Sequence, residues 1–288
     1  MSGKLTVIMS TYNAGEFLNE ALGSISKQTF EDFTVKIIDD NSTDDTVSII
    51  NEWSEKDSRI ELVKVNKENC GLTRNLNYLI NLSESKFIAR MDSDDIALPE
   101  RFEKQFQFLE KNPEISVLGT WAFNVNEQGK ILNKRYVPID INGIKKMIGK
   151  ANPIIHPTAM MRTEQIKSVG GYNENFRVAQ DYELWFRCLS KGLLLANLPE
   201  FLFKYRVIEG HVSKRKMSHR ILDAKIRWRG TGLLMFPLQS RVLYTAIPIV
   251  LGLMPDFLKK IALRFSKHLD PRQRLGIKEE NVSRSRGL

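Results

Sequence analysis

Cysteine is scarce in this chain. Cys70 and Cys188 are the two cysteines among 288 residues, and they are far apart without the spacing of metal ligands. This scarcity argues against a disulfide framework and favours a reducing compartment, in which each thiol packs as a small apolar side chain. The N-terminal residues also lack the apolar segment and cleavage site of a secretory signal, so we expect none.

Long hydrophobic runs are missing as well. The longest uncharged run extends from Val242 to Pro255, 14 residues, and a helix needs roughly 20 to span a bilayer. Internal repeats and low-complexity linkers are also absent from the sequence. Because 42% of the residues are hydrophobic, the composition predicts a folded globular protein with a sizeable core rather than a disordered chain.

Charge is distributed unevenly. The chain carries a net charge of +9, but residues 201–288 alone hold 19 Lys and Arg against 6 Asp and Glu. The first 200 residues are therefore mildly acidic and the tail is strongly basic. This asymmetry predicts an anionic partner for the tail.

Short apolar runs alternate with helical patterns over the first hundred residues. The predicted strands are 5–9, 34–38, 61–65 and 86–89, and the predicted helices are 16–27, 44–54, 75–82 and 99–111. Such alternation predicts a parallel sheet covered by helices. A polar cluster follows each strand, and ligands bind beyond the carboxyl ends of such strands, so we expect the clusters to converge on one crevice.

The segment from Lys86 to Arg101 carries the most chemistry. A buried strand ends there, followed by Asp92, Asp94 and Asp95. Residues two apart on an extended segment point to the same side, so Asp92 and Asp94 can face one point. Their repulsion calls for a cation, and oxygen ligands suit Mg²⁺ or Mn²⁺, which bridge carboxylates and phosphates. The alternative is an acidic loop in solvent.

Beyond residue 111 the alternation ends. We predict strands at 116–120, 122–126, 154–162, 193–198 and 201–207, with helices at 139–148 and 183–191. Trp185, Phe186 and Leu189 fit a buried helix face. Trp121 fits either a core position or a platform for a sugar ring.

Six motifs in order resemble glycosyltransferase family 2, the inverting enzymes with a GT-A fold. They are Ser10-Thr-Tyr-Asn13, Asp39-Asp-Asn-Ser-Thr-Asp44, Asn69-Cys-Gly-Leu-Thr-Arg-Asn75, Met91-Asp-Ser-Asp-Asp95, His156-Pro-Thr158 and Gln180-Asp-Tyr-Glu-Leu-Trp185. The resemblance covers about residues 4–207 and departs from the family at Gln180, where Glu is usual. It implies a Rossmann-like α/β fold with a mixed, mostly parallel sheet flanked by helices.

The resemblance also implies a nucleotide-sugar donor site. Tyr12 would pack near the base and Asp40 would accept a hydrogen bond from a uracil imide, which favours UDP. Asp39 would orient the loop or reach the nucleotide, and Arg74 would meet the base or diphosphate unless it is a surface residue. The same motifs place Ser10, Asn13 and Ser93 in the donor site.

For the chemistry, the resemblance implies Mn²⁺ or Mg²⁺ and a general base. Asp94 would be the main metal ligand, Asp92 would lie near the ribose or the metal, and Asp95 would support the loop or the donor sugar. His211 would complete the metal shell or be an exposed loop residue. Asp181 would accept the proton of the attacking hydroxyl, its alternative role being a helix cap. His156 would shape the acceptor side or satisfy a backbone group.

These inferences divide the chain into a catalytic domain at 1–212, with a nucleotide-binding half at 1–98 and an acceptor-binding half at 99–212. A basic amphipathic helical extension follows at 213–270 and a disordered tail at 271–288. Such helices suit a membrane interface, where anionic lipids add about 1 kcal/mol per Lys or Arg; the alternative is packing on the catalytic domain. We expect a cytoplasmic enzyme at the inner face of a bacterial membrane that glycosylates a lipid-linked oligosaccharide for surface polysaccharide.

Two other interpretations compete with this one. A nucleotidyltransferase can share the sheet and the acidic metal site, but it favours a Gly- and Lys/Arg-rich phosphate loop after the first strand, where this chain has Ser10-Thr-Tyr-Asn13. A nucleic-acid-binding protein would explain the basic tail. The apolar runs of the tail and the acidic crevice argue against a nucleic-acid partner.

Overall fold

The computed structural model describes residues 3–207 and 217–254. Within them the chain forms one mixed sheet of nine strands, in the order Ile60–Val65, Phe33–Asp39, Leu5–Thr11, Phe87–Arg90, Met160–Arg162, Ile115–Val125, Leu194–Arg206 and Ile96–Ala97, with Ile131–Arg135 paired to Ile115–Val125. His211 and the predicted tail at 271–288 lie outside the described residues, as do parts of the predicted extension at 213–270.

The first half of the sheet is parallel, as predicted. It comprises β1 (Leu5–Thr11), β2 (Phe33–Asp39), β3 (Ile60–Val65) and β4 (Phe87–Arg90), connected by α1 (Gly15–Ser26), α2 (Thr46–Lys56) and α3 (Leu72–Leu82). Alternate residues of β1 enter opposite layers of the core: Val7 and Met9 join one cluster and Ile8 the other. Both faces of the strand are therefore covered, which is why the sequence shows a continuous apolar run.

The second half of the sheet is mixed. It contains β5 (Ile96–Ala97), β6 (Ile115–Val125), β7 (Ile131–Arg135), β8 (Met160–Arg162) and β9 (Leu194–Arg206), with helices α4 (Arg101–Lys111), α5 (Ile141–Ile148), α6 (Thr163–Ser168) and α7 (Gln180–Ser190). Strand β8 runs antiparallel to both β4 and β6, while β9 runs parallel to β6. Trp185 and Phe186 are buried, as predicted, and Trp121 occupies a core position.

Several predicted boundaries in this half are wrong. The two strands predicted at 116–120 and 122–126 form one strand, β6, and those predicted at 193–198 and 201–207 form β9. The two long strands pair with each other, and shifts in their register absorb the irregularities that we interpreted as breaks. The predicted strand at 154–162 is a 3-10 turn, His156–Thr158, followed by β8. Pro157 has no N–H for a strand ladder.

Two helices follow the sheet, α8 (Met217–Leu233) and α9 (Leu238–Leu253). Helix α8 packs on α7, where a Cβ at Gly230 would lie 2.2 Å from the Phe186 ring. Pro248 lies inside α9 and is buried, so packing of its ring offsets part of the backbone hydrogen bond that proline cannot donate. No helix in the described part of the chain has both the length and the apolar character required to cross a bilayer.

Candidate active site

The ends of β1, β2 and β3 meet in a hydrogen-bonded network. Asn75, on α3, donates to the Ser10 hydroxyl (3.0 Å). Asn66, just beyond β3, donates both to the Asn75 side-chain oxygen (2.8 Å) and to Asp40 (2.7 Å). The predicted convergence of polar segments at the carboxyl ends of the strands is therefore confirmed for the segments that follow β1, β2 and β3.

Asp40 is buried and held by the protein itself. Its carboxylate accepts hydrogen bonds from Asn66 and from the backbone N–H groups of Cys70 and Gly71, both at 2.8 Å. Burial raises the pKa of Asp40, but hydrogen bonds from Asn66, Asn75 and the two backbone donors lower it below its ordinary value. Asp40 is thus an ionised group that fixes the loop entering α3.

Hydrogen bonds join the loops that follow β1 and β2. Asp39 accepts from the Thr11 hydroxyl (2.9 Å) and from the backbone N–H of Ser42 (2.8 Å). Asn13 accepts from the backbone N–H of Thr43 (2.9 Å) and adopts a left-handed φ of 47°. Tyr12 is 53% exposed beside them, which leaves its ring open to a ligand.

The three carboxylates after β4 form one cluster. Asp92, Asp94 and Asp95 each present an oxygen, and all three oxygens lie within 4.8 Å of one another. Asp95 is buried; one of its oxygens accepts from the Arg206 backbone N–H (2.7 Å), while the other has no hydrogen-bond partner among the described residues. The sequence pattern predicted that Asp92 and Asp94 face one point, and the fold adds Asp95 to them.

Buried guanidinium groups surround this cluster. Arg90, at the end of β4, is 3% exposed and pairs with both oxygens of Asp92. Arg101 donates to the Arg90 carbonyl (2.9 Å), and Arg206 donates to the Asp94 carbonyl (2.7 Å). The Asp92 carboxylate is therefore paired with a buried cation, and Asp94 and Asp95 lie beside this ion pair.

Proton affinity is high at these two carboxylates. Burial, followed by the charge of Asp92, raises the pKa of Asp94 to about 6. Burial and the charges of Asp92 and Asp94 raise the pKa of Asp95 well above its ordinary range. A divalent cation would offset the repulsion between the carboxylates and would give the unpaired Asp95 oxygen a partner. The residues present therefore fit such an ion.

Asp181 lies in the first turn of α7 and is 8% exposed. Its carboxylate accepts a hydrogen bond from the Asn152 side-chain amide at 2.5 Å. Burial raises the pKa of Asp181, against the lowering effects of the Asn152 hydrogen bond and the Arg90 charge. A carboxylate with a raised pKa in a buried setting is suited to accept a proton near neutral pH.

Arg90 connects the acidic cluster with Asp181. Its charge lowers the proton affinity of both Asp94 and Asp181, so it lies within electrostatic reach of both. The His156 ring nitrogen lies 2.7 Å from the Tyr172 hydroxyl on the same side. Burial and the Arg90 charge hold the pKa of His156 well below its ordinary value, so its imidazole is neutral.

Sequence reasoning missed Arg90, Arg206 and Asn152. The local signal for Arg90 was a cation at the end of a buried strand, two residues before Asp92; the other two carried no such signal. Arg74, on α3, is exposed, and Ser93 is partly exposed between Asp92 and Asp94. Their predicted donor contacts stay predictions, as does the role of His211.

Solved structures identify the fold of this chain. Staphylococcus aureus TarS 1-349 in complex with UDP-GlcNAc superposes with a TM-score of 0.66 at 21% identity, over 85% of this chain and 71% of that one. The mannosyltransferase PcManGT of Pyrobaculum calidifontis, in complex with GDP-Man and Mn²⁺, gives 0.58 at 17% identity, over 98% and 81%. The fold is thus that of GT-A glycosyltransferases.

The family is shown by sequence. The model of "Glycosyl transferase family 2" matches residues 6–170, and the chain belongs to this family. An uncharacterized glycosyltransferase of Methanocaldococcus jannaschii is 38% identical, over 78% of this chain and 79% of its own. The amylovoran biosynthesis glycosyltransferase AmsE of Erwinia amylovora is 32% identical, over 87% and 94%. An Escherichia coli UDP-Gal:alpha-D-GlcNAc-diphosphoundecaprenol beta-1,3-galactosyltransferase is 32% identical, over 74% and 77%.

Family membership makes this chain a glycosyltransferase. It decides against the nucleotidyltransferase and nucleic-acid-binding interpretations as the chain's function. The family match ends before Asp181, whose assignment therefore depends on the site itself.

Proposed function

We propose that the protein is an inverting glycosyltransferase that moves a sugar from a nucleoside-diphosphate donor, UDP by preference, to a hydroxyl group of a lipid-linked oligosaccharide in surface polysaccharide synthesis. The observation that carries the proposal is the cluster of the Asp92, Asp94 and Asp95 carboxylates, whose oxygens lie within 4.8 Å of one another. The charge of Arg90 acts both on this cluster and on Asp181, a second, buried acidic centre. One centre is suited to the diphosphate end of a donor, the other to the attacking hydroxyl.

In this reaction the acceptor hydroxyl oxygen forms a bond to the anomeric carbon, and the bond from that carbon to the phosphate oxygen breaks. The electron pair of the broken bond leaves with the nucleoside diphosphate. Asp181 accepts the hydroxyl proton on the face opposite the leaving group, so a single displacement inverts the anomeric centre. The raised pKa of Asp181 strengthens it as a base.

Asp94 and Asp95 are the residues suited to hold Mn²⁺ or Mg²⁺, with Asp92 fixed beside them by Arg90. Such an ion neutralises charge on a departing diphosphate when bound. Asp92, because its carboxylate is already paired, is better placed to orient the loop or to meet the ribose than to ligate the ion. This choice refines the prediction that Asp92 and Asp94 share the ligand role.

The nucleobase is proposed to stack on Tyr12, which is exposed at the end of β1. Asp40 accepts three protein hydrogen bonds, so its role for uracil is to fix the loop at Cys70 and Gly71, with any remaining lone pair available to the imide. Support for UDP comes from the neighbour solved with UDP-GlcNAc and from the E. coli relative whose name states UDP-Gal.

The test uses the purified full chain with a panel of nucleotide sugars and Mn²⁺. Binding is measured by thermal shift, and hydrolysis or transfer by release of the nucleoside diphosphate. Proton NMR of the product reports the anomeric configuration. We expect one donor to respond and the configuration to invert. Asp181→Asn should lower turnover by about 10²–10⁴-fold, with donor binding kept. Retained turnover in this variant, or a retained anomeric configuration, would overturn the proposal.

A lipid-linked acceptor requires access to a membrane, and the C-terminal helices offer a surface for it. Helix α8 packs on the catalytic domain, whereas much of α9 is apolar and exposed. The exposed side chains of α9 and of the turn before it include Met235 (90%), Leu238 (63%), Val242 (53%), Leu243 (59%), Val250 (54%) and Leu253 (72%). Arg220, Arg229 and Arg241 lie on the same two helices. An apolar face flanked by arginines suits the interface of an anionic bilayer, at the cytoplasmic side of the cell membrane.

Vesicle sedimentation tests this surface. The full chain is expected to bind vesicles of phosphatidylcholine with phosphatidylglycerol more strongly than pure phosphatidylcholine, and added salt should weaken the binding. Leu243→Asp should reduce it several-fold. Ile131→Asp, at an equally exposed apolar position on β7 (50%), is the control and should bind as the wild type does. Equal loss in both variants, or no preference for the anionic lipid, would contradict a membrane role for α9.

A further inference from the structure

Asn152 links Asp181 to the C-terminal helices. Its side-chain amide donates to Asp181 at 2.5 Å, and it follows a short segment, residues 149–151, that helix α8 contacts. We propose that Asn152 is a positioning residue for Asp181 and that Arg227 of α8 positions Asn152, so that α8 is part of the catalytic unit. This inference rests on the proposed role of Asp181 as the base.

The Asn152 side chain is oriented by a second hydrogen bond. Its oxygen accepts from the backbone N–H of Ile154 (3.2 Å), which directs the NH₂ group towards Asp181. The next residue, Pro153, has its carbonyl held by the Asn197 side chain (3.1 Å). The amide therefore meets the carboxylate as a donor, and it stabilises the ionised form that a base requires. It engages one carboxylate oxygen, Oδ2.

Arg227 fixes the backbone just before Asn152. One nitrogen of its guanidinium donates to the carbonyls of Gly149 (3.1 Å) and Lys150 (2.7 Å). Asp223, one turn earlier on α8, accepts from the same guanidinium at 3.0 Å. Carbonyls near the end of a helix need donors, because they have no partner within the helix. Arg227 meets this need for the segment after α5.

Both C-terminal helices pack closely on this segment. A Cβ at Gly149 would lie 2.5 Å from the Tyr244 ring of α9, and the Arg227 guanidinium lies 5.5 Å from the centre of the Tyr182 ring of α7. The hydroxyl of Tyr182 donates to the Ile148 carbonyl. Helix α7, which carries Asp181, and the Asn152 segment are therefore held to each other by α8 and α9. This arrangement assigns the C-terminal helices a role at the acceptor side besides any contact with lipid.

The charged and titratable groups that face Asp181 determine how donor turnover depends on pH. Arg90 of β4 acts on it by charge, and Tyr172 lies close enough for the charge of Asp181 to affect its hydroxyl. Tyr172 contacts His156, which is neutral, and Arg227 of α8 faces the neighbouring Tyr182. Of these groups, Asp181 is the one whose ionisation the acidic limb of the profile is expected to report.

The experiment measures donor turnover by the full chain as a function of pH for Asn152→Ala, Arg227→Met and the double variant. Asn152→Ala removes a hydrogen bond to the ionised carboxylate, so the acidic limb of kcat/KM should move up by about one pH unit. We expect kcat to fall roughly 10- to 100-fold, with little change in KM for the donor. Arg227→Met should shift the limb in the same direction by a smaller amount.

The double variant separates a shared pathway from two independent defects. If Arg227 acts through Asn152, the double variant should lose about as much kcat as Asn152→Ala alone, rather than the product of the two losses. Lys225→Met, an exposed position two residues away on α8, is the control and should retain the wild-type profile. Circular dichroism melts confirm that each variant is folded.

The outcomes distinguish this inference from the proposed function. An inactive Asp181→Asn together with an unshifted profile in Asn152→Ala would overturn the positioning role and leave Asp181 as the base. An active Asp181→Asn would overturn both. Multiplicative losses in the double variant would refute the action of Arg227 through Asn152.

Discussion

Replacing Asp94 by Asn tests the acidic cluster without any substrate. The pKa of Asp94 is raised from 3.8 to about 6 in the folded protein, chiefly by burial and then by the charge of Asp92. Because the folded pKa lies above the unfolded one, the carboxyl group favours folding most below about pH 4. This advantage is lost as the pH rises through about 6. The ionised side chain is therefore a net cost to the metal-free protein at neutral pH.

The size of the cost follows from the shift. Roughly two pKa units correspond to about 3 kcal/mol, which is up to about 6 °C in Tm at about 2 °C per kcal/mol for a chain of this size. Asp94→Asn removes the charge and keeps the shape. We therefore expect the metal-free variant to melt several degrees above the wild type at pH 8 and close to it at pH 4.

The assay is a thermal melt of the chelated proteins from pH 4 to pH 8, repeated with Mn²⁺. Manganese should raise the Tm of the wild type, because it stabilises the ionised carboxylates. It should have much less effect on the variant. Asp32→Asn, at a surface carboxylate paired with Lys4, serves as the control. A variant that is no more stable than wild type at pH 8, or that keeps the full manganese response, would refute the reasoning.

Three further predictions follow from the same structure. Asp40→Asn, unlike Asp94→Asn, should destabilise the protein, by about 2–4 kcal/mol in urea melts, because the amide leaves buried backbone donors unpaired. A variant as stable as the wild type would contradict the assigned network. Gly230→Ala should cost about 1–3 kcal/mol, since a Cβ would lie 2.2 Å from the Phe186 ring. Gly23→Ala in α1, where a Cβ would meet its nearest atoms at 3.5 Å, should be neutral or stabilising by up to about 1 kcal/mol. Apparent Mn²⁺ affinity, measured by calorimetry, should fall about tenfold per pH unit below pH 6, because protons compete for Asp94; a flat profile would remove Asp94 from the ligand set.

The pairing of Arg90 with Asp92 changes how the Asp92-Ser93-Asp94 motif is understood. From spacing alone, the two carboxylates of the motif are equivalent candidates for a cation. In the fold, Asp92 is paired with the buried Arg90 guanidinium, and the proposed ligand role rests on Asp94 and its neighbour Asp95. A buried charge without a partner would be costly, and the charge of Asp92 stabilises the buried Arg90 guanidinium.

The sequence by itself determined the parallel half of the sheet and the position of the acidic cluster. Each of these is a local pattern: an apolar run followed by polar residues marks a strand and its carboxyl end, and β1 to β4 appear within about two residues of their predicted bounds. The tertiary structure alone decided which distant side chains meet. Asn152 reaches Asp181 across 29 residues, and the Arg206 backbone reaches Asp95 across 111. It also decided the continuity of β6 and β9, because a strand with irregular register persists only where a partner strand supplies its hydrogen bonds. Contacts of this kind depend on how the elements pack. A contact between two residues that are distant in the sequence leaves no local pattern from which it could be predicted.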